Sequence, residues 1–161
     1  MAVPGFVREL RERVGSEFPL WFPGVIAVVL DGDGRVLLHR RADNGRWAMI
    51  SGILDPGEEP ATGVVREVWE ETGVRVVPEC LTSVTVSPPV VHVNGDHARY
   101  LELTFRCRAV GGHARVNDDE SAEVGWFSRH ALPPLAPGYR TRIDHALDER
   151  ATAWFAGPET D

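Results

Sequence analysis

Three glutamates, Glu67, Glu70 and Glu71, fall at positions i, i+3 and i+4. That spacing crowds side chains along one side of a helix. Like charges so placed repel by about 0.2–0.5 kcal/mol per pair, so a helix with only a structural task gains nothing from them. A hard cation reverses the sign. Magnesium prefers carboxylate oxygens, keeps several waters and completes its shell with substrate phosphates. The chemistry such a set would support is metal-assisted displacement at phosphorus. A solvated acidic face would explain the charges but not their company. Arg66 directly precedes Glu67, Glu58 lies upstream, and Gly52 and Gly73 bracket the run.

Written out, Gly52 is followed by five residues and Glu58, then by seven and Arg66-Glu67, apolar Val68, one residue, Glu70-Glu71, one residue, Gly73 and apolar Val74. This resembles the Nudix box, Gly-x5-Glu-x7-Arg-Glu-U-x-Glu-Glu-x-Gly-U, at every fixed position. Seven identities, each at about 7% background, coincide by chance in about one window in 10⁸. The resemblance implies a hydrolase of nucleoside diphosphates linked to another group, on an α/β/α sandwich with a mixed β-sheet. It implies Glu67 and Glu71 as the main Mg²⁺ ligands, with Mn²⁺ as a substitute. Glu70 would be a further ligand or would orient the catalytic water. The main-chain carbonyl of Ser51 would add another ligand. Glu58 and Arg66 would tie loop to helix as an ion pair, with Arg66 a scaffold of the catalytic helix rather than a substrate clamp. Relatives often have Pro-Gly before the box glycine, where this chain has Ile50-Ser51. A carbonyl ligand needs no particular side chain, so serine serves.

The box needs a loop and a helix, and the sequence supplies both. Asp55-Pro56-Gly57 is a turn signal, Pro60 suits a first helical turn, and Gly73 suits a helix end. Ala61, Val64, Val65, Val68 and Thr72 recur at helical spacing and predict the buried face, with the glutamates on the face beside it. Elsewhere, residues 5–15 have helical spacing, and Phe18 to Pro23 reads as an extended apolar connector. Strands are predicted at 25–30, 36–40, 46–50, 74–77, 81–87, 99–110 and 122–127. Asp31-Gly32-Asp33-Gly34 forms a hairpin turn between the first two, Gly111-Gly112 ends the longest, and a closing helix runs from about Arg140 to Phe155. Short strands interleaved with three helices suggest a mixed sheet between helical layers.

At 161 residues and 43% apolar content the chain is read as one domain able to bury a core. Seventeen basic and 24 acidic side chains leave a net charge of −7, which argues against binding nucleic acid but not against a small nucleotide held through metal. No apolar run reaches the length of a membrane span. The N-terminal segment carries acidic residues and no apolar signal core, so a cytoplasmic location is expected. Cys80 and Cys107 are too few for a disulfide framework or zinc site and are expected to be reduced and buried.

The leaving groups must be chosen outside the box. Glu120, in the acidic segment 117–123, reads equally as a catalytic base or metal ligand and as part of a solvated turn. Pro88-Pro89 follows Gly73-Val74 at a spacing of 15. That is similar to the ADP-ribose pyrophosphatases of the family, though a loop stiffened by proline explains it as well. Trp21, Phe22 and Tyr100 could stack on a base. Arg40, Arg41 and Arg46 could pair with phosphate or ribose. Each of these is more often a core aromatic or a solvated arginine, and His39 reads as structural. The resemblance thus implies ADP-ribose cleaved to AMP and ribose 5-phosphate. Removal of pyrophosphate from a nucleoside triphosphate, or nucleotide sensing without catalysis, stands as the alternative. A homodimer is expected only by analogy.

Overall fold

Strand β1 (Leu20–Leu30) is apolar on both faces because both are covered. Val25, Ala27 and Val29 pack into one core with Val64 and Val68 of helix α2 (Pro60–Thr72). Ile26 and Val28 point the other way, into a second core with Ile143 and Ala146 of helix α3 (Tyr139–Leu147). The period of two along the strand thus divides one sheet between two helical layers. Helix α1 (Gly5–Val14) joins a third cluster built on Val7, Phe22 and Ala98. This computed structural model describes residues 4–148 and 152–158.

The other strands are β2 (Val36–Arg41), β3 (Trp47–Ala48), β4 (Ile50–Ile53), β5 (Val74–Val86), β6 (Val90–Val91), β7 (His97–Gly112), β8 (Ser121–Phe127) and β9 (Trp154–Phe155). β1 runs parallel to β7 from Leu20↔Ala98 to Leu30↔Arg108. It runs antiparallel to β4 and meets β2 across the predicted hairpin at Leu30↔Val36. β5 is antiparallel to β7, β8 to β2, and β9 lies parallel to β5. The result is the α/β/α sandwich with a mixed sheet.

Several element boundaries differ from the sequence reading. The connector at Phe18 to Pro23 is largely strand, because β7 supplies partners as far back as Leu20. Residues 74–77 and 81–87 form one strand, which passes Pro78 and its neighbours by register shifts against β7. Gly111-Gly112 does not end the long strand, since both glycines pair with Val74 and Arg75. The predicted strand at 46–50 is two, β3 and β4, and the second contains the box glycine. The closing helix stops at Leu147, and Trp154-Phe155 pairs instead with Ser83-Val84; Ala151 lies outside the described residues. Both cysteines are free, but only Cys107 is buried; Cys80 is half-buried.

Candidate active site

The loop entering α2 is tied down by one arginine. Glu58 N–H donates to the Asp55 carbonyl at 2.9 Å, closing the turn, and Asp55 N–H donates to Glu58 Oε2 at 3.1 Å. Arg66 then grips Glu58 with two parallel bonds, Nε to Oε1 and Nη2 to Oε2, both 2.8 Å. This fork geometry is the strong form of the pair. Nη1 also donates to Glu67 at 2.7 Å and to Glu70 at 3.3 Å, and Nη2 to the Ile53 carbonyl at 3.4 Å. Arg66 thus joins the loop, β4 and the carboxylate row.

The helix buries the face that the apolar spacing predicted, except for its first residue, and buries two of the glutamates with it. Ala61 is exposed, whereas Glu67 and Glu71 are buried alongside Val64, Val68 and Thr72. Of the three glutamates only Glu70 is exposed. Glu67 lies flat against the backbone of Gly52, where a Cβ would fall 1.9 Å from its carboxyl carbon. The box glycine is therefore required by close approach, since any side chain would displace the glutamate. Burial raises the pKa of Glu67, partly offset by Arg66. Burial, with the nearby Glu67 and Asp118 carboxylates, pushes Glu71 up to about 9.

His39 on β2 is buried next to Glu71. Its Nδ1 lies 2.8 Å from Ser121 Oγ and 3.1 Å from Glu71 Oε2. Burial, and then the Arg41 charge, depress it to about 4, while a bond with the Met49 backbone opposes them. Glu71 Oε2, although close to that nitrogen, makes no hydrogen bond among the described residues.

The end of α2 recruits the second acidic segment. A helix leaves its last four carbonyls unpaired, here those of residues 69–72. Gly73, in the left-handed region at φ 65°, donates to Trp69. Asn117 Nδ2 donates to Trp69 and Glu70 at 3.0 and 3.2 Å. Asn117 N–H reaches Glu71 at 3.3 Å, and Arg115 N–H reaches Thr72 at 3.0 Å. These bonds staple residues 115–117 to the helix and bring Asp118, Asp119 and Glu120 beside Glu70 and Glu71. Together with α1 they line a cleft of about 660 Å³.

Glu67, Glu70, Glu71, Arg66 and Glu120 therefore share one cleft; Gly52 lies against Glu67 and Glu58 is bound to Arg66, while Ser51 adjoins Gly52 on β4, outside that lining. The proposed substrate contacts do not join them. Phe22 is 4% exposed and packs between Phe6 and Tyr100, so it is core and has no face for a base. Trp21 and Pro88 are exposed away from the cleft lining. Arg40 pairs with Glu123 at 3.1 Å, and Arg46 is likewise outside that lining. Sequence reasoning missed His39 as a neighbour of Glu71, and it missed Asn117, Asp118 and Arg8. Only the acidic run 117–123 gave a signal for two of these.

The buried carboxylates suit a divalent cation. Glu71 holds an unpartnered buried oxygen, Glu67 is seated where only glycine permits it, and burial, followed by the neighbouring carboxylates, disfavours both anions. Among the described residues no three such side chains are already drawn into a cage. The oxygens available to converge are hard donors of the kind magnesium selects.

The fold and the carboxylate cleft define a hydrolase of phosphoric anhydrides. A sequence profile of the NUDIX domain matches residues 20–147, and the chain belongs to the Nudix family as a Nudix pyrophosphohydrolase. It is similar to the MutT-like protein of Streptomyces ambofaciens, 41% identical over 131 residues that cover 81% of this chain and 79% of that one. The NAD-capped RNA hydrolase NudC of Pseudomonas aeruginosa is 36% identical over 82% of this chain, but the match spans only 45% of that protein. Among solved structures, an ADP-ribose pyrophosphatase from Streptococcus suis matches with a TM-score of 0.63 at 26% identity, over 83% of this chain and 96% of that one.

Proposed function

We propose that this protein hydrolyses the pyrophosphate bridge of a small nucleoside diphosphate derivative with Mg²⁺, and that ADP-ribose is its first candidate substrate. The observation that carries this is the convergence of Glu67, Glu70, Glu71 and Glu120 on one cleft, with an unsatisfied oxygen on Glu71. Glu67, Glu71, Glu70 and the Ser51 carbonyl would hold the cation, and Mn²⁺ would substitute. The cation supplies charge neutralisation at the non-bridging oxygens and a more acidic water. Arg66 keeps the carboxylates in register from behind. Water oxygen bonds to one phosphorus, the bridging P–O bond breaks, and the water proton passes to a carboxylate. Of the carboxylates in the cleft, Glu120 and the exposed Glu70 are the candidate bases. For ADP-ribose the products are AMP and ribose 5-phosphate.

The substrate class draws on the activities for which two similar proteins are named, since ADP-ribose and NAD share an adenosine diphosphate joined to ribose. A net charge of −7 favours a small nucleotide over a capped RNA. Pro88 lends no contact from outside the cleft lining. The test is a panel of ADP-ribose, NADH, dinucleoside polyphosphates, sugar nucleotides and nucleoside triphosphates, with products identified by mass. ADP-ribose should have the highest kcat/KM. A triphosphate that wins by about tenfold, a difference of some 1.4 kcal/mol, transfers the reading to triphosphate pyrophosphohydrolysis. Full activity after exhaustive chelation removes the metal from it.

A further inference from the structure

Seven carboxylates and two arginines line the cleft. A pyrophosphate entering it carries more non-bridging oxygens than a bound cation covers, and a cationic donor with free N–H groups would hold the rest. Arg66 is not that donor, because its guanidinium is engaged by Glu58, Glu67, Glu70 and the Ile53 carbonyl. Arg8 is the other. Its side chain is exposed, and among the described residues it makes no ion pair or side-chain hydrogen bond.

The helix that carries Arg8 is firmly seated. Val7 is buried against Phe22 and Ala98, and Phe6 meets Phe22 edge-on with ring centroids 6.1 Å apart. Arg11 donates to the carbonyls of Gly15, Ser16, Phe18 and His97 and pairs with Asp96 at 3.4 Å. Pro4, Gly5 and Arg8 occupy the opposite side, at helical spacing, and that side faces the cleft. Two arginines three residues apart thus have different positions: Arg11 locks the helix down, and Arg8 is left on the wall that faces the carboxylates. α1 also precedes residues 20–147, the span of the shared domain.

We propose that Arg8 is a substrate-binding residue contributed by this N-terminal helix, its guanidinium fork taking non-bridging oxygens of the substrate's pyrophosphate. The inference rests on the function proposed above and deepens it. A planar fork with parallel donors matches a phosphate edge as an ammonium does not. Arg8 sits on α1, apart from the carboxylates that act on the water. It therefore holds ground state and transition state alike, and its loss raises KM and spares kcat.

Steady-state kinetics with Mg²⁺ over the same panel tests this, comparing wild type, Arg8→Ala, Arg8→Lys and the control Arg13→Ala, with melting temperatures for each. Arg8→Ala should raise KM about tenfold, the lower end for a hydrogen bond to a charged group. Its kcat should stay within about twofold, and its melting temperature should be unchanged. Arg8→Lys should recover part of the loss, and Arg13→Ala should match wild type. Wild-type turnover with an unchanged KM in Arg8→Ala overturns the inference alone. A fall in kcat and melting temperature together makes Arg8 structural and overturns it too. A wild-type protein that hydrolyses nothing in the panel overturns the proposed function and, with it, this inference.

Discussion

At Glu71 a carboxylate that is 2% exposed sits beside Glu67, Asp118 and a neutral histidine. Its ordinary value of 4.5 rises to about 9 in the fold, so as pH climbs the unfolded chain ionises first. Stability from this residue is whole at low pH and is lost between those values, at up to about 1.4 kcal/mol per pH unit. His39 moves the opposite way, from 6.5 to about 4, so its burial contributes stability that is lost as pH falls through that window. Between 4.5 and 6.5 the two slopes oppose each other; from 6.5 to 9 Glu71 acts alone of this pair. Chelated wild-type protein should therefore lose stability from neutral to alkaline pH in denaturant titrations, and Glu71→Gln should flatten that slope. A variant with the wild-type slope would show that Glu71 ionises freely in the fold. Little of this was legible in the sequence. The i, i+4 pair was visible, but its burial depends on Gly52 giving way to Glu67 and on a histidine from a strand some thirty residues earlier.

Among the elements, α2 was the most legible, because Pro60, Gly73 and the apolar spacing are local signals that agree. β5 and β9 were not, since their limits are set by partners rather than by their own residues: β7 carries β5 past Pro78, and β5 captures Trp154-Phe155. The 115–120 loop belongs to this second kind. Its position follows from the unpaired carbonyls of α2, which no periodicity shows. Asn117 supplies two of the staples, so Asn117→Ala should free the loop while leaving both helix and carboxylates in place. Amide exchange across 115–120 should quicken, and kcat should fall by up to about 10²-fold through misplacement. If Glu120 is the base, Glu120→Gln should cost about 10²–10⁴-fold, and the double variant should lose less than the product of the two. Faster exchange with wild-type kcat in Asn117→Ala would show that the loop's position does not matter to turnover.

For the molecule as a whole, the two cores on either side of the sheet hold an acidic cluster that the metal-free fold would be better without. The chain's net charge of −7 gives that cluster no general relief. Among the described residues Glu71 has no arginine or lysine bound to it, and Arg66 is engaged by Glu58, Glu67, Glu70 and the Ile53 carbonyl. A cation bound there stabilises the native state alone, because unfolding scatters its ligands. At a hundred times its dissociation constant, Mg²⁺ should add about 2.7 kcal/mol, which for a chain of this size is a rise of about 5–11 °C in melting temperature. Glu71→Gln removes a ligand but also removes a buried charge. The chelated variant should therefore melt at or slightly above the chelated wild type, and its rise with Mg²⁺ should be much the smaller. Calorimetry of both proteins, chelated and saturated, separates the terms. A chelated variant that melts far lower would mean that Glu71 holds structure through a partner of its own. Equal rises in the two proteins would place the cation somewhere other than on this helix.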